Sequence, residues 1–412
     1  MTNPKVYLYH NSFKHLITHN ETRSHKWIYS LVSIFFGFLV GFLIMLCVNP
    51  ANAGAGFATL IAGGLPYKMQ SVGNILFNSA PLIGVGLAVA VSSKAGIFNI
   101  GGSGQYTVGG ATALIVANLI NPYVPPILGA IICLAVGMIA GAIWALIPAL
   151  LKNHFNVNIV VSAIMMNYIA VYSTGIIAKN GSWFDSMHNR INNSKLDNCY
   201  LPQGGLNKLF STVSSRGTPM YSRLDISILI AIFVCILLFF IFSKTTFGLR
   251  MRVSGQNETA AKYSGINNKK QIAYAMMISG AMAGMGAVFS YLSMYPDSFQ
   301  PVSTVSDMGF TGISVALIAN NNPIACIFSA ILISYIKTSG GGLTSVGFNS
   351  NVIGIITSVI IYSSATAFLL SGVVSKARES INNKFKLSKL TKRLDKVEKP
   401  IFVQEKEDKS NE

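Results

Sequence analysis

Apolar and polar residues alternate along this chain in long blocks rather than residue by residue. The apolar blocks are close to the roughly 20 residues that cross a bilayer as a helix. A lipid-facing barrel would instead show two-residue alternation. The first block, Trp27 to Val48, holds no charge. Further spans are predicted at about 76–93, 104–120, 127–151, 157–178, 224–243, 271–291, 308–320, 323–339 and 351–372. No charged residue occurs from Ala95 to Leu151; Asn121-Pro122 and Pro125-Pro126 supply a turn there, because proline continues neither helix. The Gly- and Ala-rich stretch 49–75 predicts a short interfacial segment.

Composition agrees with this pattern. Hydrophobic residues make up 51% of the 412 residues and charged residues 11%, against roughly 25% in a soluble domain. Lipid must cover much of the surface, and the fold class expected is an all-α polytopic membrane protein with about ten transmembrane helices. The net charge of +17 would suggest nucleic acid in a soluble protein. Here the cations sit at the ends of the spans, and no basic and aromatic interleaving is present, so topology explains them and no nucleic-acid partner is expected. An even number of spans puts both termini on one side. With that side cytoplasmic, most Lys and Arg fall on it.

The expected domains are a cytosolic segment 1–26, a membrane domain 27–372 and a basic cytosolic tail 373–412. Within the membrane domain, 179–223 is an extracytoplasmic loop and 244–270 a cytosolic one. Basic residues ahead of an apolar run resemble a signal peptide, but the run is longer than an h-region, and a retained first span is expected. The cysteines Cys47, Cys133, Cys199, Cys235 and Cys326 form no close sequence pair and give no disulfide frame or metal site.

Three stretches carry candidate chemistry. In 244–270, Asn257 is a good N-cap, Glu258 follows it at the favourable end of the helix dipole, and Gly265 is a good C-terminal stop. The helix between them is about two turns long, too short to stand alone in water, and needs a partner surface. Ala260 and Ala261 allow close approach and Tyr263 offers an anchor. An ordinary basic loop would read similarly. The second stretch, Lys94 to Gly110, is rich in glycine and holds the amides Asn99 and Gln105, which suits either a pathway lining or close helix packing. The third comprises amides at span ends: Asn158 and Asn167 in one span, Asn320, Asn321 and Asn322 after another. Gly109 to Pro122 and Thr311 to Pro323 echo one another, as repeats or as similar composition. Asp225, Asp297, Asp307 and Lys337 fall at span ends, which argues against an ion-coupled carrier. No P-loop, HExxH or nucleophile elbow is present, so neither ATP binding in the P-loop manner nor catalysis is expected of the chain itself.

Four stretches, GIFNIGGSGQ (96–105), LLKNHFNVNIVVSAIMMNYIA (150–170), TTFGLRMRVSGQNETAAKYSGINNKKQI (245–272) and GFTGISVALIANNNP (309–323), resemble the permease subunits of bacterial ABC importers. The branch is that of nucleoside and simple-sugar permeases, and the second stretch is more like the nucleoside members. The resemblance implies that Gly255, Asn257, Ala260, Ala261, Tyr263 and Gly265, with the adjacent Glu258, form a coupling segment that docks on an ATP-binding subunit. It implies that Asn99, Gly101, Gly104 and Gln105, joined by the buried amide Asn167, lie near the translocation pathway. It further implies a second permease, identical or different, an extracytoplasmic substrate-binding lipoprotein, and a multi-pass place in the bacterial cell membrane. ATP-Mg would be bound by the partner subunit, and no cofactor by this chain. Ser103 and Thr311 stand where relatives often have acids. The function implied is ATP-driven import of nucleosides by alternating access. A ribose- or galactose-type sugar permease and an ATP-independent carrier or channel are the alternatives.

Overall fold

The computed structural model describes residues 26–62, 69–192, 196–213, 218–301 and 303–365. The chain divides into two units, Ile34–Ala365 and a second made of both termini, Met1–Ser33 with Thr366–Glu412. The larger unit is described below. The basic tail, most of the N-terminal segment and the end of the tenth predicted span lie outside the described residues.

Fourteen α-helices are described. They begin with α1 Lys26–Val48, α2 Ala53–Ala62, α3 Met69–Lys94, α4 Gly102–Ile120, α5 Pro126–Phe155 and α6 Ile159–Lys179. A loop follows, with a single turn α7 Leu206–Leu209 and two short antiparallel pairs, β1 Phe184–Asp185 with β2 Arg190–Ile191 and β3 Thr212–Val213 with β4 Pro219–Met220. Then come α8 Ser227–Lys244, α9 Thr246–Gln256, α10 Glu258–Tyr263, α11 Asn268–Tyr291, α12 Met308–Ile318, α13 Pro323–Gly342 and α14 Ser350–Ala365. Each predicted span has its helix, and α2 occupies the predicted interfacial segment. Among the described residues, six helices are long and apolar enough to cross a membrane, and shorter apolar helices accompany them.

Helix α3 begins seven residues earlier than its apolar block suggests, since Met69-Gln70-Ser71 adds a polar first turn. Gln70 donates to the Tyr221 carbonyl at 3.0 Å, tying that turn to the long loop. Helix α12 is shorter than its block, because Asn320 and Asn321 adopt left-handed backbone (φ 50° and 54°). Asn322 then caps α13, accepting from the Ile324 N–H at 3.1 Å, with Pro323 at the first helical position.

The two central helices, α3 and α11, pack on one another, and their surroundings correspond. Helix α3 packs on α12 and α13; α11 packs on α4 and α5. Helix α4 meets α5 and α6, as α12 meets α13 and α14. Two four-helix sets, α3–α6 and α11–α14, are thus arranged alike, and the echo between Gly109–Pro122 and Thr311–Pro323 falls on their equivalent second helices. Both second helices are preceded by a non-helical break, short in the first set (95–101) and long in the second (292–301 and 303–307).

The closest seam lies between α5 and α11. A Cβ on Gly284 would meet the Gly137 carbonyl oxygen at 2.1 Å, and one on Gly280 the Gly141 oxygen at 2.1 Å. Both helices carry glycines four apart, the spacing that lets backbones touch in a membrane. Two apolar clusters flank the seam. The smaller takes in the 180–200 loop: Cys199 Sγ donates weakly to the Ala117 carbonyl at 3.7 Å and lies beside Gly129, one turn before Cys133. The cysteines far apart in sequence therefore meet in space at this point, unbonded.

Candidate functional site

The segment predicted to seek a partner holds two helices rather than one. Helix α9 was not expected from the sequence. Its N-cap is Thr245, whose hydroxyl accepts from the Gly248 N–H at 3.2 Å. Met251 and Ser254 turn inward, and Ser254 Oγ bonds Asn268 Oδ1 at 3.2 Å. Helix α10 has the predicted caps. Asn257 Oδ1 accepts from the Ala260 N–H at 3.0 Å. At the other end Gly265 takes φ +74°, the Gly265 N–H donates to the Lys262 carbonyl at 3.1 Å and the Ile266 N–H to the Ala261 carbonyl at 2.9 Å. Only glycine enters that left-handed position without strain. Asn268 Nδ2 donates to the Glu258 carbonyl at 2.9 Å and clips α10 to α11.

The named residues of this segment face two ways. Asn257, Glu258, Ala260, Tyr263 and Gly265 are exposed, Tyr263 at 89%. Ala261 is buried beneath them. Gly255 faces inward. A Cβ there would fall 2.5 Å from the Gly96 nitrogen and 2.5 Å from the Lys94 carbonyl oxygen. Lys94 ends α3 and Gly96 (φ +74°) opens the first break. The exposed turn and the glycine-rich break are therefore in backbone contact through Gly255.

The break is held by the amides singled out from the sequence. Asn99 Oδ1 accepts from the Gly101 N–H at 2.8 Å, and Asn99 Nδ2 donates to Gln105 Oε1 at 2.9 Å and to Ser279 Oγ at 2.7 Å. Ser279 Oγ donates in turn to the Ala88 carbonyl at 2.6 Å. Asn167 Oδ1 accepts from the Gly104 N–H at 2.8 Å, and Asn167 Nδ2 donates to the Ile100 carbonyl at 3.1 Å. Asn99 and Gln105 are 1% exposed and Asn167 2%. The five residues come together as one satisfied network that joins α3, α4, α6 and α11 around non-helical backbone. Such backbone is tolerated in a bilayer only when protein or water satisfies it. In this conformation the amides clamp the break rather than line an open space.

An open space lies elsewhere. A cleft of about 260 Å³ is bounded by Thr107 on α4, Val171 and Thr174 on α6, Tyr291 at the end of α11, and the extended segment down to Asp307. Apart from Asp307, sequence reading singled out none of these residues. Thr and Ser within apolar spans carry little signal, and a long loop between two spans reads as surface. Asp307 stands at the start of α12, the span end expected for it, whereas Lys337 sits differently from its placement at a span end. Lys337 lies within α13 and donates from Nζ to Thr311 Oγ1 at 3.1 Å. Among the described residues no group of three or more His, Cys, Asp or Glu is placed to hold a metal.

Comparison with known proteins places this architecture. A family model described as the permease component of the branched-chain amino acid transport system matches residues 71–371. The chain belongs to this permease family. It is 33% identical over 360 residues to the nucleoside ABC transporter permease protein NupB of Lactococcus lactis subsp. cremoris, covering 87% of this chain and 95% of that protein. It is 30% identical to the guanosine ABC transporter permease protein NupP of Bacillus subtilis, covering 85% of this chain and 96% of NupP. The glucose ABC transporter permease protein TsgB13 of Haloferax volcanii is 23% identical, over 77% of this chain and 81% of its own length. No solved structure matches. As a member of the family the chain is a multi-pass membrane transport subunit.

Proposed function

We propose that this chain is the membrane subunit of an ATP-driven importer that passes nucleosides across the cell membrane. The observation that carries the reading is its near end-to-end similarity to permeases named for nucleosides and for guanosine. The energy enters at α10. This helix is exposed, capped at both ends and too short to be stable alone, so its outer face is built to be covered. An ATP-binding subunit seated there supplies ATP-Mg, and Gly255 hands its movement to the break at Lys94–Gly96. A second permease subunit, identical or different, and an extracytoplasmic substrate-binding lipoprotein on the 180–223 side complete the assembly. Both termini then face the cytoplasm.

The sugar reading rests on TsgB13, the more distant of the three relatives. Uptake in cells carrying the whole importer separates the two. Labelled guanosine enters with saturable kinetics, unlabelled nucleosides compete and glucose does not. Tyr263→Asp lowers guanosine uptake at least tenfold while the chain still reaches the membrane. Competition by glucose but not by nucleosides removes the nucleoside reading. Undiminished uptake by Tyr263→Asp removes the docking role of α10.

A further inference from the structure

We propose that the cleft between α4, α6 and the 292–307 segment is the station at which this permease holds a nucleoside within the membrane. The inference rests on the nucleoside reading above and adds the site and the contacts.

Depth is the first argument. Helix α12 has 11 residues, roughly 16 Å at 1.5 Å per residue, about half of a hydrocarbon core ~30 Å thick. With the Ile318 end of α12 at the bilayer edge, Asp307, which heads the helix, is near the midplane. Lys337 lies roughly 21 Å along α13 from Pro323, also within the core. Charges at such depth are expensive and mark pathways. Among the described residues the two form no ion pair with one another. Lys337 is instead bonded to Thr311, and Thr311 Oγ1 donates to the Asp307 carbonyl at 3.1 Å. Asp307 stands at the N-cap position of α12 without its side chain capping it, and the residue borders the cleft.

Chemistry is the second. Thr107 and Thr174 donate to the Ser103 and Ala170 carbonyls at 2.8 and 2.7 Å, so their oxygens have lone pairs left to accept. The Asp307 carboxylate is an acceptor only, suited to a pair of sugar hydroxyls. Gln300 is exposed, borders the cleft and makes no hydrogen bond among the described residues. Its carboxamide offers a donor and an acceptor side by side, the pairing a nucleobase edge accepts. Tyr291 and Phe299 meet at 5.4 Å edge to face and form an aromatic wall. A base on that wall and a ribose toward Asp307 satisfy each group. The volume, about 260 Å³, suits a single small metabolite more than a larger ligand.

The test follows a cysteine at Thr304, which lines the cleft. Membrane sheets open on both faces are prepared from cells carrying the whole importer with Thr304→Cys in a Cys47→Ser background, since Cys47 is exposed. Excess guanosine slows maleimide labelling at least threefold and glucose leaves it unchanged. In uptake, Asp307→Asn lowers guanosine transport at least tenfold and brings the preference for guanosine over 2′,3′-dideoxyguanosine close to one. Wild-type guanosine uptake and preference in Asp307→Asn, or no protection by guanosine in an importer that does carry it, overturns the station and leaves the proposed function standing. Protection by glucose alone overturns the nucleoside assignment. An unsubstituted importer that takes up no guanosine overturns the proposed function itself.

Discussion

Asp225 shows how much one carboxylate reveals about its surroundings. It lies in the loop just ahead of α8 and is 0% exposed. Oδ1 accepts from the Ser227 N–H at 3.0 Å and from the Ser227 hydroxyl, while Oδ2 has no partner. Burial pushes its pKa up to about 6. An acid with a raised folded pKa binds its proton more tightly when folded, so stability falls as pH rises from the unfolded value near 4 to the folded value and is flat above it. The loss is on the order of 3 kcal/mol for a shift of this size. Asp225→Asn keeps an acceptor for Ser227 and removes the titration. Its melting temperature in detergent exceeds that of the unsubstituted chain at pH 8, and the difference shrinks at pH 4.5. An equal difference at both pH values would show that ionisation is not the cause.

At the scale of elements, the α9–α10 pair divides labour that the sequence presents as a single motif. Tyr263 looks out and Gly255 looks in. Gly255→Ala drives a methyl group into the Lys94–Gly96 backbone, so α9 must lift from the break. Uptake should fall at least tenfold with ATPase docking intact, as pull-down of the ATP-binding subunit would report. Tyr263→Asp should lose the pull-down as well. A Gly255→Ala importer of normal uptake would mean that the contact transmits nothing. The caps of α10 were readable from Asn257 and Gly265 because capping depends on neighbours in the chain. The inward face of Gly255 was not, because its partner is Gly96, a contact that only tertiary packing creates. The same reason hid the cleft. Its hydroxyls come from α4, α6 and an extended segment, and no local pattern marks them. The amides at 99, 105 and 167 were visible as a group, yet their partners decide that they clamp rather than line.

For the whole molecule, two similar helix sets face one another around α3 and α11. Their inversion across the bilayer follows from the helix order if the 180–223 loop and α10 lie on opposite sides. Met187 is 94% exposed in that loop. Met187→Cys should react with an impermeant maleimide in intact cells, and Tyr263→Cys only after permeabilisation. Reaction of both before permeabilisation would reject the topology. That each apolar block is a helix was readable from block length, and among the described residues six of these helices are long and apolar enough to cross a bilayer. The short span at 308–320 was readable too, and only its last two residues differ, because the chain leaves the helix at Ile318 ahead of the left-handed Asn320 and Asn321.

The contact between Gly255 and Gly96 has a mechanical consequence. Side chains absorb small displacements by changing rotamer, and a linkage made of them has play. Here backbone rests on backbone, and beyond Gly96 the chain runs straight into the clamp at Asn99. A displacement applied at α10, as the proposed coupling requires, would pass to the break without an intervening side chain. Gly96 and Asn99 are three residues apart, so the path from the contact to the clamp is short.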